Sequence, residues 1–163
     1  MNWKIGLNVA IAGAALLIAA CGGYGTSAYD GSPSGTPATP GASVATIDLR
    51  STALGQILVD GKGRTLYLFE ADRAGMSSCY GDCASVWPPL LATAAPIAGS
   101  GLNQSLLGTT TRKDGSVEVV YNGHPLYYFV SDRQAGDTTG QAITSFGADW
   151  YVLSAAGSKV DKG

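Results

Sequence analysis

Histidine occurs once in these 163 residues, cysteine three times, and charged side chains make up only 13% of the chain. With so little histidine, a Ser/His/Asp triad would have to use His124, and no serine stands in a recognisable nucleophile context. Gly-x-Ser-x-Gly, His-Glu-x-x-His, a phosphate loop and Cys-x-x-Cys-His are all absent. The acids Asp72, Asp82, Asp132, Asp137 and Asp149 are scattered and lack calcium-loop spacing. Lys and Arg do not cluster, so nucleic acid, which needs a basic footprint, is not an expected partner. These absences argue against an enzyme and against a resident cofactor.

Long apolar runs are also scarce. The one present, residues 5–20, follows Lys4 and is too short for a comfortable membrane span. It suits the core of an export signal. Its ending, Leu17-Ile18-Ala19-Ala20-Cys21, resembles the bacterial lipobox, which implies cleavage after residue 20 and acylation of Cys21. Acyl chains of the palmitate type anchor a protein without spanning the bilayer. Residues 22–43 hold no Val, Ile, Leu, Met, Phe or Trp and are almost wholly Gly, Ser, Thr, Pro and Ala. Such a stretch cannot offset its ordering entropy, and residues 21–43 read as a lipidated cysteine and tether. The expected location is the cell envelope: the outer membrane in a Gram-negative source, the outer face of the cell membrane in a Gram-positive one. Membrane, through Cys21, and an unknown envelope ligand or protein are the expected partners.

The folded part is one modest domain. Tyr67-Leu68-Phe69-Glu70-Ala71-Asp72 returns as Tyr127-Tyr128-Phe129-Val130-Ser131-Asp132, each preceded by a leucine and a glycine-bearing turn. One supersecondary unit used twice explains so many linked features. Residues 44–100 form repeat 1, residues 101–156 repeat 2, and residues 157–163 a tail. Asp-Gly and Asn-Gly at 114–115 and 122–123 are strong hairpin signals. Each repeat therefore reads as a three-stranded antiparallel meander with the motif on its third strand. The fold class is mainly β, with at most one or two short helical turns, one of them at residues 82–86 before Pro88-Pro89. Period-two alternation puts Tyr67 and Phe69 on one face and Leu66 and Leu68 on the other, and likewise Tyr127 and Phe129 against Leu126 and Tyr128. The aromatics, with Trp87 and Trp150, read first as core and second as a ligand site; Asp72 and Asp132 fall at turns just past the strands.

With Cys21 acylated, Cys79 and Cys83 remain. An exported protein meets an oxidising space, so a disulfide is expected. Residues four apart on a regular helix have Cβ atoms about 5–6 Å apart, wider than a disulfide prefers, so the intervening Tyr80-Gly81-Asp82 must turn. The alternative is a thiol redox pair or soft-metal site. Cys-x-x-x-Cys with a distant histidine is similar to copper-delivering factors of respiratory oxidase assembly, and thiolate, the thioether of Met76 and the imidazole of His124 would suit copper. Those factors have long helices, which this sequence does not suggest.

Both motifs, Cys79-x-x-x-Cys83, Trp87-Pro88-Pro89-Leu90 and Tyr121-Asn122-Gly123-His124-Pro125-Leu126-Tyr127 resemble a bacterial family of predicted lipoproteins of the lipoprotein 15 type. Also called the secreted repeat of unknown function, it is defined by Tyr-x-(Phe/Trp/Tyr)-x-x-Asp. The resemblance spans nearly all of residues 54–155 and implies a secreted, repeated domain, but no activity.

Overall fold

The computed structural model describes residues 44–162. The expected leader, Cys21 and the tether lie outside the described residues. Two hairpins carry most of the regular structure. β1 (Thr46–Thr52) pairs antiparallel with β2 (Gly55–Asp60), and the short β4 (Ile97–Ala98) runs parallel along the other edge of β1. In the second repeat a single 3-10 turn (Gln104–Leu106) leads into β5 (Leu107–Thr111), which pairs with β6 (Val117–Tyr121). β6 returns through Asn122 and Gly123 to β7 (His124–Pro125). Both turn residues have positive φ, 48° and 78°, which is why Asn and Gly stand there.

The meander holds as far as Leu66 and Leu126, whose N–H groups donate to the carbonyls of Leu58 (3.1 Å) and Val119 (3.0 Å). Beyond these residues each motif leaves its own hairpin. Tyr67 and Tyr127 exchange backbone hydrogen bonds with each other, 2.9 and 3.0 Å. β3 (Tyr67–Phe69) then pairs with β9 (Ala148–Val152) of the second repeat, with β8 (Ile143–Ser145) on the outer edge. In mirror fashion Tyr128 and Val130 donate to the carbonyls of Pro88 (2.8 Å) and Val86 (3.1 Å) of the first repeat. The segment that closes each repeat thus covers the motif of the other. The reason lies in the motif itself: a strand apolar on both faces needs covering, and having left its own hairpin it takes its neighbour from the other repeat.

Alternation along the motif separates two cores, as expected from the sequence. Leu66, Leu68 and Leu126 face a cluster with Ile47, Leu58, Val119 and Leu153. Tyr67, Phe69 and Tyr127 face an aromatic cluster with Trp87, Trp150 and the cysteines. The one α-helical turn among the described residues, α1 (Asp82–Val86), stands at its expected place. Its entry is set by Gly81, at φ 57°, and Pro88 follows its end.

Candidate functional site

The motif builds an interlocked centre. Tyr67 Oη donates to Asp132 Oδ2 (2.7 Å), and Tyr127 Oη donates to Asp72 Oδ2 (2.8 Å). Each tyrosine therefore holds the aspartate of the opposite motif. The second carboxylate oxygen fastens the loop that follows: Asp72 Oδ1 accepts from Ser78 N and Oγ (both 2.7 Å), and Asp132 Oδ1 from Thr139 N (3.0 Å) and Oγ1 (2.6 Å). Burial and the neighbouring carboxylates push both phenols far above the ordinary tyrosine range. Burial also raises Asp72, against its hydrogen bonds from Ser78 and Tyr127.

The aromatics form one continuous stack across the two repeats. Phe69 lies on Trp150 (centroids 4.0 Å apart), Trp150 on Trp87 (4.0 Å) and Trp87 on Phe129 (4.3 Å). Tyr67 and Tyr127 meet Trp87 and Trp150 edge-on, the favoured geometry for ring quadrupoles. Both indole N–H groups end on Ser145, one on its Oγ and one on its carbonyl. Gly140 packs so closely beneath the stack that a Cβ there would lie 2.8 Å from Trp87 and 2.9 Å from Tyr67.

The cysteines form the disulfide expected of an extracytoplasmic domain, with Cα atoms 5.2 Å apart. They are buried in the aromatic cluster. The structure does not bring the copper set together. His124 lines a recess with Asp72, Arg73 and Lys159, Met76 is 62% exposed, and neither cysteine is a thiol. Among the described residues no group of three or more His, Cys, Asp or Glu converges on a point that could hold a metal ion. Burial holds His124 below its ordinary value, although Asp72 pulls the other way.

Beneath the disulfide loop lies a polar chain that sequence reasoning missed. Arg112 and Glu118 form a fully buried ion pair (Nη1 to Oε2, 2.7 Å). Arg112 also donates to Ser77 Oγ (2.6 Å) and to the carbonyl of Cys79 (2.7 Å), with the Tyr80 ring over its guanidinium. Since the Tyr127 proton goes to Asp72, Ser77 donates to Tyr127 (2.6 Å), so the hydrogens run Arg112, Ser77, Tyr127, Asp72. Burial raises Glu118 to about 7 despite Arg112. Among the described residues Glu118 Oε1 and Arg112 Nε have no hydrogen-bond partner, and Arg112 Nε lies 3.5 Å from Asp114 Oδ2. In the first repeat the position corresponding to Glu118 is the buried apolar Ile57.

Two surface recesses flank the centre. One, about 290 Å³, is lined by Arg64, Pro88, Tyr128, Phe129, Val130 and Arg133 among others. The other, about 360 Å³, uses the equivalent Leu68, Phe69, Glu70, Arg73 and His124, with Lys159. Arg73 and Arg133 directly follow the two motif aspartates, and that matched position was the signal available in the sequence.

The repeat architecture has a counterpart among known families. The family model described as a secreted repeat of unknown function matches residues 49–91 and 108–154, more than half of the chain. The chain belongs to this family. Its two matched segments are the two interlocked units, and the description fits export of a disulfide-bonded β domain. No curated protein and no solved structure matches this chain.

Proposed function

We propose that this protein is a lipid-anchored module of the bacterial cell envelope that binds an envelope ligand without transforming it. The observation that carries the reading is the exchange of tyrosine and aspartate between motifs. Tyr67, Tyr127, Asp72 and Asp132 are all committed to one another and to the loops they hold. A general acid or base needs a proton free to move near neutral pH, and burial places both phenols far from it. The motif serves as a rigid frame, and what the frame presents outward is a pair of recesses in which motif aromatics meet charged side chains, a form suited to binding. Acylation of Cys21 would hold this frame at the membrane on a tether of residues 22–43.

Two experiments test the reading. Metabolic labelling with radioactive palmitate should mark the wild type and not Cys21→Ala; equal labelling sinks the anchor. Envelope extract passed over the immobilised protein should yield a ligand retained by the wild type and lost with Val130→Glu or Arg73→Ala, which alter the recess linings. Retention unchanged in both variants rules out the recesses.

A further inference from the structure

The internal repeat supplies its own control, because the same recess is built twice and finished differently. Around the first motif the charges are spent at home. Lys159 Nζ pairs with Glu70 Oε1 at 2.7 Å, and the guanidinium of Arg73 donates to the carbonyls of Glu70 and Asp72. Around the second motif Val130 stands where Glu70 does, and it is 44% exposed. Arg133, the counterpart of Arg73, makes no side-chain hydrogen bond or ion pair with any described residue. Across the recess Arg64 uses Nε and Nη2 on Asp60 and Tyr128, leaving Nη1 unpaired among the described residues. Its guanidinium is fixed over the Tyr128 ring, 3.9 Å from the centroid.

The nearby carboxylates do not answer Arg133. Asp132 has both oxygens occupied by Tyr67 and Thr139, Asp137 accepts the backbone N–H groups of Arg133 and Gln134, and Asp60 is held below its ordinary value, against burial, by hydrogen bonds from Arg64, Lys62 and Tyr128. The second recess therefore joins an apolar floor of Pro88, Phe129 and Val130 to an uncommitted guanidinium. Guanidinium recognises carboxylate through paired N–H donors, and an apolar floor adds affinity in proportion to the area covered.

Resting on the binding-module reading, we propose that the recess over the second motif takes a monocarboxylate with an apolar body, its carboxylate on Arg133 and its body against Phe129 and Val130. A volume near 290 Å³ suits a short acyl chain and no large ligand. The test uses the full chain with Cys21→Ala, titrated with octanoate and, as the uncharged match, 1-octanol, read by backbone amide NMR. Octanoate should give saturable shifts at Val130, Arg133 and Gln134. Arg133→Ala, an exposed change, should weaken octanoate about tenfold or more, as expected for loss of a charged hydrogen bond. Lys113→Ala, which removes an exposed cation that lines neither recess, should leave octanoate binding unchanged. Octanol binding as tightly as octanoate, or octanoate indifferent to Arg133→Ala, overturns the carboxylate assignment while the binding-module reading stands. Absence of saturable shifts with either probe overturns the assignment too; the module reading then rests on the envelope-extract experiment alone.

Discussion

Tyr67 donates its phenolic hydrogen to Asp132, 65 positions away and in the other repeat, at 2.7 Å; Tyr127 and Asp72 do the same in reverse at 2.8 Å. The doubled motif is therefore one device in two halves, and neither half is complete without the other. Tyr67→Phe should cost about 1–3 kcal/mol, the penalty for leaving a part-buried carboxylate oxygen without its donor. Tyr127→Phe should cost a similar amount, because it strands Ser77 at the end of the Arg112 chain as Tyr67→Phe strands the N–H of Gly140. Chemical denaturation of Tyr67→Phe, Asp132→Asn and the double variant should show losses well short of additive. Additive losses would mean that the 2.7 Å contact carries no coupling.

The same exchange sets how the domain assembles. β9 lies on the first motif and the Val86–Leu90 stretch lies on the second. A chain of residues 44–100 alone would expose Tyr67 and Phe69 and lack half of the aromatic stack. Residues 44–100 and 101–163, produced separately, should each be largely unfolded by amide dispersion and should fold when mixed. Independent folding of either fragment would contradict the interlocked arrangement.

Much of this was legible in the sequence, for identifiable reasons. Asn122-Gly123 demands a tight turn through backbone sterics alone, and the residues at 82–86 are stopped by prolines whatever surrounds them. The two-faced motif strand followed from alternation. Its partner did not, because hydrophobic pattern says that an edge needs covering and not which segment covers it. The turn of the β8–β9 hairpin was hidden: Phe146 takes positive φ, 55°, beside Gly147 at 93°, a conformation that phenylalanine does not announce. Glu118 reads in Val-Glu-Val-Val as a solvent-facing strand residue, and only Arg112, brought beside it by the β5–β6 hairpin, reveals a buried pair. Of the recesses, the sequence showed His124 as a ligand candidate but not that it and Arg64 occupy equivalent places.

Close packing at Gly140 offers a sharper probe than truncating a tryptophan. Its N–H donates to Tyr67 Oη (3.2 Å), and an added Cβ would press on both Trp87 and Tyr67. Both rings are fully buried, so neither has room to yield. Gly140→Ala should destabilise by about 1–3 kcal/mol, the usual cost of overpacking, and should alter near-ultraviolet circular dichroism from the Trp87–Trp150 stack. An unchanged midpoint and spectrum would show that the loop relaxes freely.

The disulfide closes a short loop, which limits its effect. By loop-closure entropy a bridge between residues four apart contributes about 2 kcal/mol. Cys79→Ser with Cys83→Ser should lower stability by roughly that amount without unfolding the domain at room temperature, since Asp72 still grips Ser78 and Arg112 still holds the Cys79 carbonyl position. A variant unfolded under native conditions would show that the bridge organises the loop over Arg112.

Buried Glu118 gives stability an unusual dependence on pH. Burial raises its carboxyl from 4.5 to about 7, so the folded state binds its proton more tightly than the unfolded state does. Protons bound on folding mean that stability falls as pH rises. The contribution is fully present below the unfolded value of 4.5 and is lost as pH rises through about 7. Asp72, also raised by burial, acts in the same direction at lower pH. His124 opposes both: burial lowers it, so its contribution grows as pH rises toward its unfolded value of 6.5. Denaturation midpoints measured from pH 5 to 8 separate these. Glu118→Gln should remove the decline between about pH 5 and 7, and His124→Gln should steepen it. If Glu118→Gln keeps the wild-type slope, Glu118 is ionised throughout and its partnership with Arg112 prevails over burial.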